Sequence, residues 1–210
     1  FIDDLTTLMN ANSGIPATEY ELSALNGALI AFDFRSHLYA PLICLKAGGL
    51  KLSVSPVSLN DDEKRFVDKL KEYVEENTPL FEGRNLYLLR NKSKVGMGFF
   101  EAGNFYPDYV LWIDEPETQY ISFIDPKGLR HLQWTDQKIE FSTKIKDLES
   151  RLQPENGKKI VLNSFIISGT SPTDLWQWWG KTQAEGRAKN VFCLDESDCV
   201  SGMIAKMIAP

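Results

Sequence analysis

The sequence is poor in cysteine and histidine and has no excess of positive charge, and each shortage excludes a class of protein. Three cysteines, Cys44, Cys193 and Cys199, are an odd number and widely spread, which argues against a disulfide framework. The two histidines, His37 and His131, lie far from any cysteine pair, so the spacing of a structural zinc site is missing. A formal net charge of −6 counts against a protein that binds nucleic acid through its own basic surface.

Long apolar runs are also missing. No stretch approaches the roughly 20 apolar residues that cross a bilayer, and no signal peptide is recognisable after Phe1. Hydrophobic residues make up 43% of the 210 residues and charged residues 25%, the ordinary balance of a globular domain. We therefore expect a cytoplasmic protein without a membrane partner, and interpret the chain as a domain or the tail of a larger protein.

The apolar pattern predicts an α/β fold from about residue 58 onward. A first helix should start after Asn60, with Glu63 in the capping-box position, and end at Asn77. The elements predicted after it are strands at 86–90, 109–113 and 120–124, a helix at 136–152, a strand at 159–167, a helix from 172 to 179, a strand at 191–194 and a helix from 197. This order predicts a mixed sheet flanked by helices, whose first three strands are antiparallel. Residues 1–57 show only a hairpin pattern, at 40–57 around Gly48-Gly49.

Two carboxylates and a lysine stand at the ends of successive predicted strands. Asp108 precedes one strand, and Asp125 and Lys127 follow the next. Side chains alternate along a strand, so Asp125 and Lys127 should share a face that Asp108 can approach. The two carboxylates and the backbone carbonyl of Pro126 are oxygen ligands of the kind that Mg²⁺ prefers, and Lys127 can stabilise charge on a phosphate. The pattern predicts a metal-dependent site for phosphodiester hydrolysis.

The local sequence around these residues resembles that of a known family. Pro107-Asp108 and Asp125-Pro126-Lys127 resemble the PD-(D/E)xK nuclease signature. Residues 103–113 (GNFYPDYVLWI) and 123–128 (FIDPKG) look like the C-terminal endonuclease domain of the Res subunits of type III restriction enzymes and of related helicase–nuclease defence proteins. Residues 56–60 and the helix after them resemble the start of that domain.

The resemblance implies a restriction-endonuclease-like sandwich with the core order αβββαβ. Residues 58–210 would form the nuclease domain, and residues 1–57 would be a connecting segment after an upstream, helicase-like domain. Asp108, Asp125 and the Pro126 carbonyl are then expected to bind the metal, with Lys127 as a catalytic residue. The family often has an acidic residue on the first helix near the metal, which makes Glu63 a candidate ligand and catalytic residue. Its capping-box position explains Glu63 equally well without a metal.

The activity implied by the resemblance is that of a Mg²⁺-dependent DNA endonuclease in a bacterial restriction or defence system, with Mn²⁺ able to replace Mg²⁺. Expected partners are DNA, a helicase or translocase domain in the same polypeptide, and a methyltransferase or specificity subunit. Residues 96–98 lack the surroundings of a P-loop, so no ATP site is expected. Two alternatives are an inactive nuclease-fold interaction module and a repair or junction nuclease of the same fold.

Several further residues have both a functional and a structural interpretation. His131 is either a phosphate contact or an ordinary surface residue, and Gln137 is the candidate for a glutamine that some relatives carry on the second helix. The tryptophans of residues 176–179 suit the core, an interface with another domain, or base stacking. A positive rim around the site, which would offset the acidic total, is expected from Lys92, Lys94, Arg130, Lys144 and Lys146.

Overall fold

The computed structural model describes residues 59–91, 96–99, 103–127, 129, 132–152 and 157–209, and the backbone of three short strands before them. The three early strands are β1 (Thr18–Glu21), β2 (Leu29–Asp33) and β3 (Leu42–Leu45). The later strands are β4 (Asn85–Arg90), β5 (Tyr109–Asp114), β6 (Thr118–Lys127), β7 (Lys159–Ser168) and β8 (Val191–Cys193). The helices are α1 (Asp61–Glu76), α2 (Gln137–Glu149), α3 (Pro172–Trp179), α4 (Gln183–Ala188) and α5 (Cys199–Met207), and a 3₁₀ turn covers Thr78–Phe81.

Helix α1 begins at the predicted capping box. The backbone N–H of Glu63 donates to Oδ1 of Asn60 at 2.9 Å, and the backbone N–H of Asn60 donates to Oε2 of Glu63 at 2.8 Å. Phe66 and Leu70 recur at helical spacing and are wholly buried. Because Glu63 lies on the same face, the fold turns its side chain inward as well.

Strands β4 to β8 form one five-stranded mixed sheet in chain order. The β4–β5 and β5–β6 pairs are antiparallel, whereas the β6–β7 and β7–β8 pairs are parallel. The short connections between β4, β5 and β6 permit antiparallel neighbours, and the return from β6 to β7 through α2 gives the parallel pair. Strand β6 therefore lies at the centre of the sheet with one neighbour of each kind.

Helices cover both faces of this sheet, which gives an α/β sandwich. One face packs on α1 and α5 in a core that includes Leu111, Ile124 and Phe165. The opposite face packs on α2 through Phe123 and Phe141, and a third cluster adds Leu175 of α3. Each of these helices buries one side, and no helix among the described residues has both the length and the apolar character to cross a membrane.

The predicted order of helix, three strands, helix and strand is confirmed, with differences at element ends and in short elements. Helix α2 ends at Glu149 and not at residue 152 as predicted, and Leu152 beyond its end is 44% exposed. Helix α4 was not predicted, although Thr182 and Glu185 form a capping box that marks its start. Strands β1, β2 and β3 form a small antiparallel sheet within the segment that we interpreted as a connection. The hairpin turn at Gly48-Gly49 and the strand predicted after it lie outside the described residues.

The central strands should carry much of the stability of the domain. Phe165 of β7 is wholly buried, and its ring lies 5.9 Å from that of Phe192. We expect Phe165→Ala to lower the free energy of unfolding by about 3–5 kcal/mol, because it removes apolar contacts and leaves a cavity. Denaturant unfolding would measure the change, with Leu152→Ala as the exposed control at less than about 0.5 kcal/mol. A loss for Phe165→Ala as small as that of the control would contradict the assigned core.

Candidate active site

The structure brings Asp108, Asp125 and Lys127 to one end of the antiparallel pair β5–β6. Tyr109 pairs with Ile124, so Asp108 and Asp125 are the next residues at the same end of the two strands. They extend the side of the sheet that carries Val110 and Phe123, which faces α2. The predicted proximity of the three side chains is therefore confirmed.

Asp125 is 3% exposed, and its partner is the lysine two residues further along β6. The ammonium of Lys127 forms an ion pair with Oδ2 of Asp125, without the angle of a hydrogen bond. Burial lowers the pKa of Lys127, but the adjacent carboxylate of Asp125 raises it, and the net shift is upward. Lys127 is thus held in its charged form beside a buried carboxylate.

Asp108 is the most strongly perturbed acid of the site. Burial raises its pKa first, and a hydrogen bond to Asp125 together with the charges of Asp125 and Glu63 raises it further. Lys127 opposes these effects, and the resulting pKa of Asp108 is about 8. Two carboxyl groups in contact cannot both ionise cheaply in a site of low polarity. The Asp108–Asp125 pair therefore retains a proton at neutral pH unless a cation takes its place.

Glu63 approaches the site from α1, but its carboxylate has other partners. Oε2 of Glu63 accepts the backbone N–H of Asn60 and lies 3.7 Å from Nη2 of Arg90. Arg90 is nine-tenths buried, and its Nη1 and the hydroxyl of Tyr109 have no hydrogen-bond partner among the described residues. Sequence reasoning missed Arg90, although an arginine that ends an apolar strand beside a predicted site is a usable signal. Both interpretations of Glu63, as a helix cap and as a site residue, fit this arrangement.

Asn91 holds the backbone around Pro107 and Asp108 in place. Sequence reasoning did not identify this residue. Its backbone N–H donates to the carbonyl of Asp108 at 2.7 Å, and its Nδ2 donates to the carbonyls of Pro107 and Met97 at 2.8 Å. Oδ1 of Asn91 also accepts the backbone N–H of Met97 at 2.9 Å. One amide side chain thus ties the end of β4 to the residue before the first carboxylate. A single asparagine after a strand gives no sequence signal for such a role.

Helix α2 brings Lys138 and Gln137 to the site through its first turn. Burial lowers the pKa of Lys138, and the positive charge of Lys127 lowers it further. Gln137 is exposed, and its Oε1 lies against Gly103, where an added Cβ would be only 2.7 Å away. Gln137 thus borders the loop before Asp108 rather than the carboxylates. Lys138 was not among the predicted site residues.

The donor set suits a hard divalent cation, but the side chains are not arranged as a ligand sphere. Within the described part of the chain, no three His, Cys, Asp or Glu side chains are grouped to hold a metal ion. Two of the carboxylates have other partners, because Lys127 forms an ion pair with Asp125 and Glu63 caps α1. The chemistry still fits, because buried carboxylates in contact favour a cation between them. Pro126 lies beside them in β6, and its carbonyl is the remaining predicted oxygen donor.

The remaining candidates are only partly described. His131, Lys92, Lys94 and Arg130 lie outside the described residues. Lys144 is exposed, and Lys146 forms an ion pair with Glu149 at 2.8 Å, so these two lysines do not establish a positive rim.

The tryptophans of α3 divide between the core and the surface. Leu175 is wholly buried, and Trp179 packs against the same cluster while its Nε1 donates to the carbonyl of Leu132 at 2.9 Å. Their interpretation as core residues is therefore confirmed. Trp178, in contrast, is 54% exposed. An interface between this helix and another domain therefore stays a prediction, to which the exposed ring is suited.

Comparison of the chain with protein-family models, with curated proteins and with solved structures finds no match. The likeness to type III restriction endonuclease domains therefore remains a prediction from the residues at 103–113 and 123–128. The observed α/β architecture is compatible with it.

The raised pKa of Asp108 predicts how stability depends on pH. The folded-state pKa of about 8 lies above the ordinary value of 3.8, so stability should fall as pH rises between these two values. Asp108→Asn cannot ionise and should escape this loss. We expect the variant to gain on the order of 3 kcal/mol over the wild type between pH 4 and pH 8, in EDTA.

Urea unfolding across this pH range would measure the difference. Asp147→Asn is the matched control for the loss of a carboxylate, because Asp147 is exposed on α2. A pH-independent difference between Asp108→Asn and the wild type would show that Asp108 ionises normally.

Proposed function

We propose that this chain is a Mg²⁺-dependent nuclease that hydrolyses phosphodiester bonds in DNA, as part of a restriction or defence protein with a helicase-like domain. The observation that carries the proposal is the convergence of Asp108, Asp125 and Lys127 at one end of β5 and β6. The nuclease resemblance assigns the metal-binding and catalytic roles to these three residues. Structural roles alone give no reason to place the half-buried carboxyl group of Asp108 next to the buried one of Asp125.

Phosphodiester hydrolysis needs an aligned water, a counter-charge for the phosphate and a proton for the leaving alkoxide. The water oxygen attacks phosphorus as the bond to the leaving oxygen breaks, and a 5′-phosphate is the product expected from the resemblance. Lys127, held charged beside Asp125, suits the stabilisation of negative charge on the phosphoryl oxygens. Its ammonium has three N–H donors, so Lys127 could contact a phosphoryl oxygen while it stays beside Asp125.

Mg²⁺ would be held by Asp108, Asp125 and the carbonyl of Pro126, with Glu63 as a further candidate. When bound, the metal supplies positive charge and Lewis acidity at the phosphate. Asp108 must lose its proton to act as a ligand, and a nearby cation lowers the pKa of a carboxyl group. Arg90 contributes by holding the Glu63 carboxylate at the margin of the site.

The acidic character of the chain bears on how DNA would be held. With a net charge of −6, long-range attraction to DNA is weak, and contacts must come from local cations or from another domain. This supports an upstream DNA-binding motor as a partner. The methyltransferase or specificity subunit is a further proposal that rests on the resemblance.

An inactive nuclease-fold interaction module is the second candidate, and two observations favour it. The Lys127–Asp125 ion pair is complete without a ligand, and the exposed Trp178 gives α3 a surface suited to a protein partner. Under this alternative the polar residues of the site serve only to orient the ends of β5 and β6.

Cleavage of plasmid DNA tests the proposed function. The wild-type chain should nick supercoiled plasmid with Mg²⁺ or Mn²⁺ and not with EDTA. Asp125→Asn and Lys127→Ala should each lower the rate at least about a hundredfold, because each removes a charge from the reacting phosphate or its metal. Gel analysis of plasmid forms over time would give the rates.

Asp147→Asn and Lys159→Ala are the matched controls, since Asp147 is exposed on α2 and Lys159 is exposed at the start of β7, at the other end of β6 from Asp125. Circular dichroism should show that all four variants fold. Cleavage that persists in Asp125→Asn would indicate a contaminating nuclease. No cleavage by the wild type, together with no Mn²⁺ binding by calorimetry, would support the inactive module.

A further inference from the structure

A short turn at the end of β7 holds the chain where it leaves β6. Lys127 and Ser168 are the last paired residues of these two parallel strands. The next residue, Gly169, donates its backbone N–H to the carbonyl of Lys127 at 3.0 Å. Thr170 then accepts the backbone N–H of Leu129 on its Oγ1 at 3.1 Å. The turn therefore holds the backbone both at Lys127 and two residues beyond it.

This turn, residues 168–170, is braced by its own first side chain. Ser168 is wholly buried, and its Oγ accepts the backbone N–H of Thr170 at 3.0 Å. The same hydroxyl donates to the carbonyl of Thr170 at 3.4 Å. A serine that bonds to the backbone two residues further along stabilises a turn of this kind. These bonds fix the backbone that carries the Thr170 hydroxyl.

Helix α1 packs against the same turn from its other side. A Cβ at Gly169 would lie only 2.0 Å from Oδ1 of Asp62, so this carboxylate rests directly on the glycine. Asp62 belongs to the first turn of α1. A larger residue at position 169 would have to displace the carboxylate. The turn is therefore confined between α1 and the end of β6.

The hydroxyl of Thr170 has a structural and a functional interpretation. Leu129 is wholly buried, and a buried backbone N–H needs an acceptor. Under the structural interpretation, Thr170 only supplies that acceptor. Under the functional one, the bond also keeps the end of β6 in the geometry that the reaction needs. Only the second interpretation predicts a slower reaction in a folded variant that still binds its substrate.

We propose that Thr170 is a positioning residue, which holds the backbone after β6 so that the ammonium of Lys127 stays where it can meet a phosphoryl oxygen. This inference rests on the proposed function. Thr170 acts through Lys127 and needs no contact with the substrate. Because a lysine side chain is long and flexible, its backbone anchor decides how closely the ammonium is held. A displacement of about 1 Å in a reacting group can lower a rate by about a hundredfold.

Steady-state cleavage of a labelled duplex separates the two interpretations. Thr170→Val keeps the shape of the side chain and removes the oxygen that accepts the N–H of Leu129, whereas Thr170→Ser keeps that oxygen. We expect Thr170→Val to lower kcat about tenfold or more, with KM changed less than about twofold. Thr170→Ser should keep kcat within about threefold of the wild type.

Thr78→Val is the matched control. Thr78 is exposed, and its Oγ1 donates to the backbone carbonyl of Glu75 at 3.1 Å. It follows α1, whose 16 residues separate its two ends by roughly 24 Å. Its kcat and KM should equal those of the wild type, and circular dichroism should show that the variants fold. If Thr170→Val does not fold, Thr170→Ala removes the same oxygen with a smaller side chain.

Two kinetic results would overturn the inference. A loss of kcat that Thr170→Ser does not restore, or an equal loss in Thr78→Val, would indicate a general effect on folding. A rise in KM with unchanged kcat would place the hydroxyl in contact with DNA and not behind Lys127.

A measurement without cleavage lets the two proposals fail separately. Two-dimensional NMR of the lysine side chains, with the Lys127 signal assigned by its loss in Lys127→Ala, reports the surroundings of this ammonium without metal or DNA. A Lys127 signal that shifts or broadens in Thr170→Val and not in Thr78→Val, without cleavage by the wild type, would reject the nuclease and keep the positioning role. Metal-dependent cleavage that Asp125→Asn abolishes, with kcat and the Lys127 signal unchanged in Thr170→Val, would keep the nuclease and reject the role of Thr170. An unchanged signal without cleavage would reject both.

Discussion

The arrangement of the site follows from one electrostatic constraint, the burial of Asp125 next to Asp108. A carboxylate that is 3% exposed near the end of the central strand β6 must be neutralised by a proton or a cation. Lys127 pairs with Asp125, and the raised pKa of Asp108 favours the uncharged form of the neighbouring carboxyl group. Lys138, Glu63 and Arg90 place further charges around these two carboxyl groups.

The fold was largely readable from the sequence because its signals are local. Helix α1 carries a capping box and an apolar stripe, and β5 and β6 are short apolar runs separated by a tight turn, so antiparallel pairing was the simplest outcome. Two-residue alternation then placed Asp125 and Lys127 on one face. Helix α4 was missed because it is only one and a half turns long, and its cap was the only signal.

The parts of the site that were missed depend on long-range packing. Lys138 follows the capping Asp136 in an ordinary helix start, and only the packing of α2 on this face of the sheet brings its charge near Lys127. Arg90 and Asn91 end a strand 18 and 17 residues before Asp108, and the β4–β5 pairing makes them neighbours of the site. No sequence pattern contains the register of two strands before their pairing is known.

Asn91 has a consequence for how this protein could diversify. Its hydrogen bonds to Pro107 and Asp108 join the two ends of the connection between β4 and β5. The position of Asp108 is therefore set by these hydrogen bonds and not by the length or composition of the connection. Insertions and substitutions elsewhere in this connection can therefore accumulate during evolution with little effect on the positions of the carboxylates. A new surface could form beside an unchanged site.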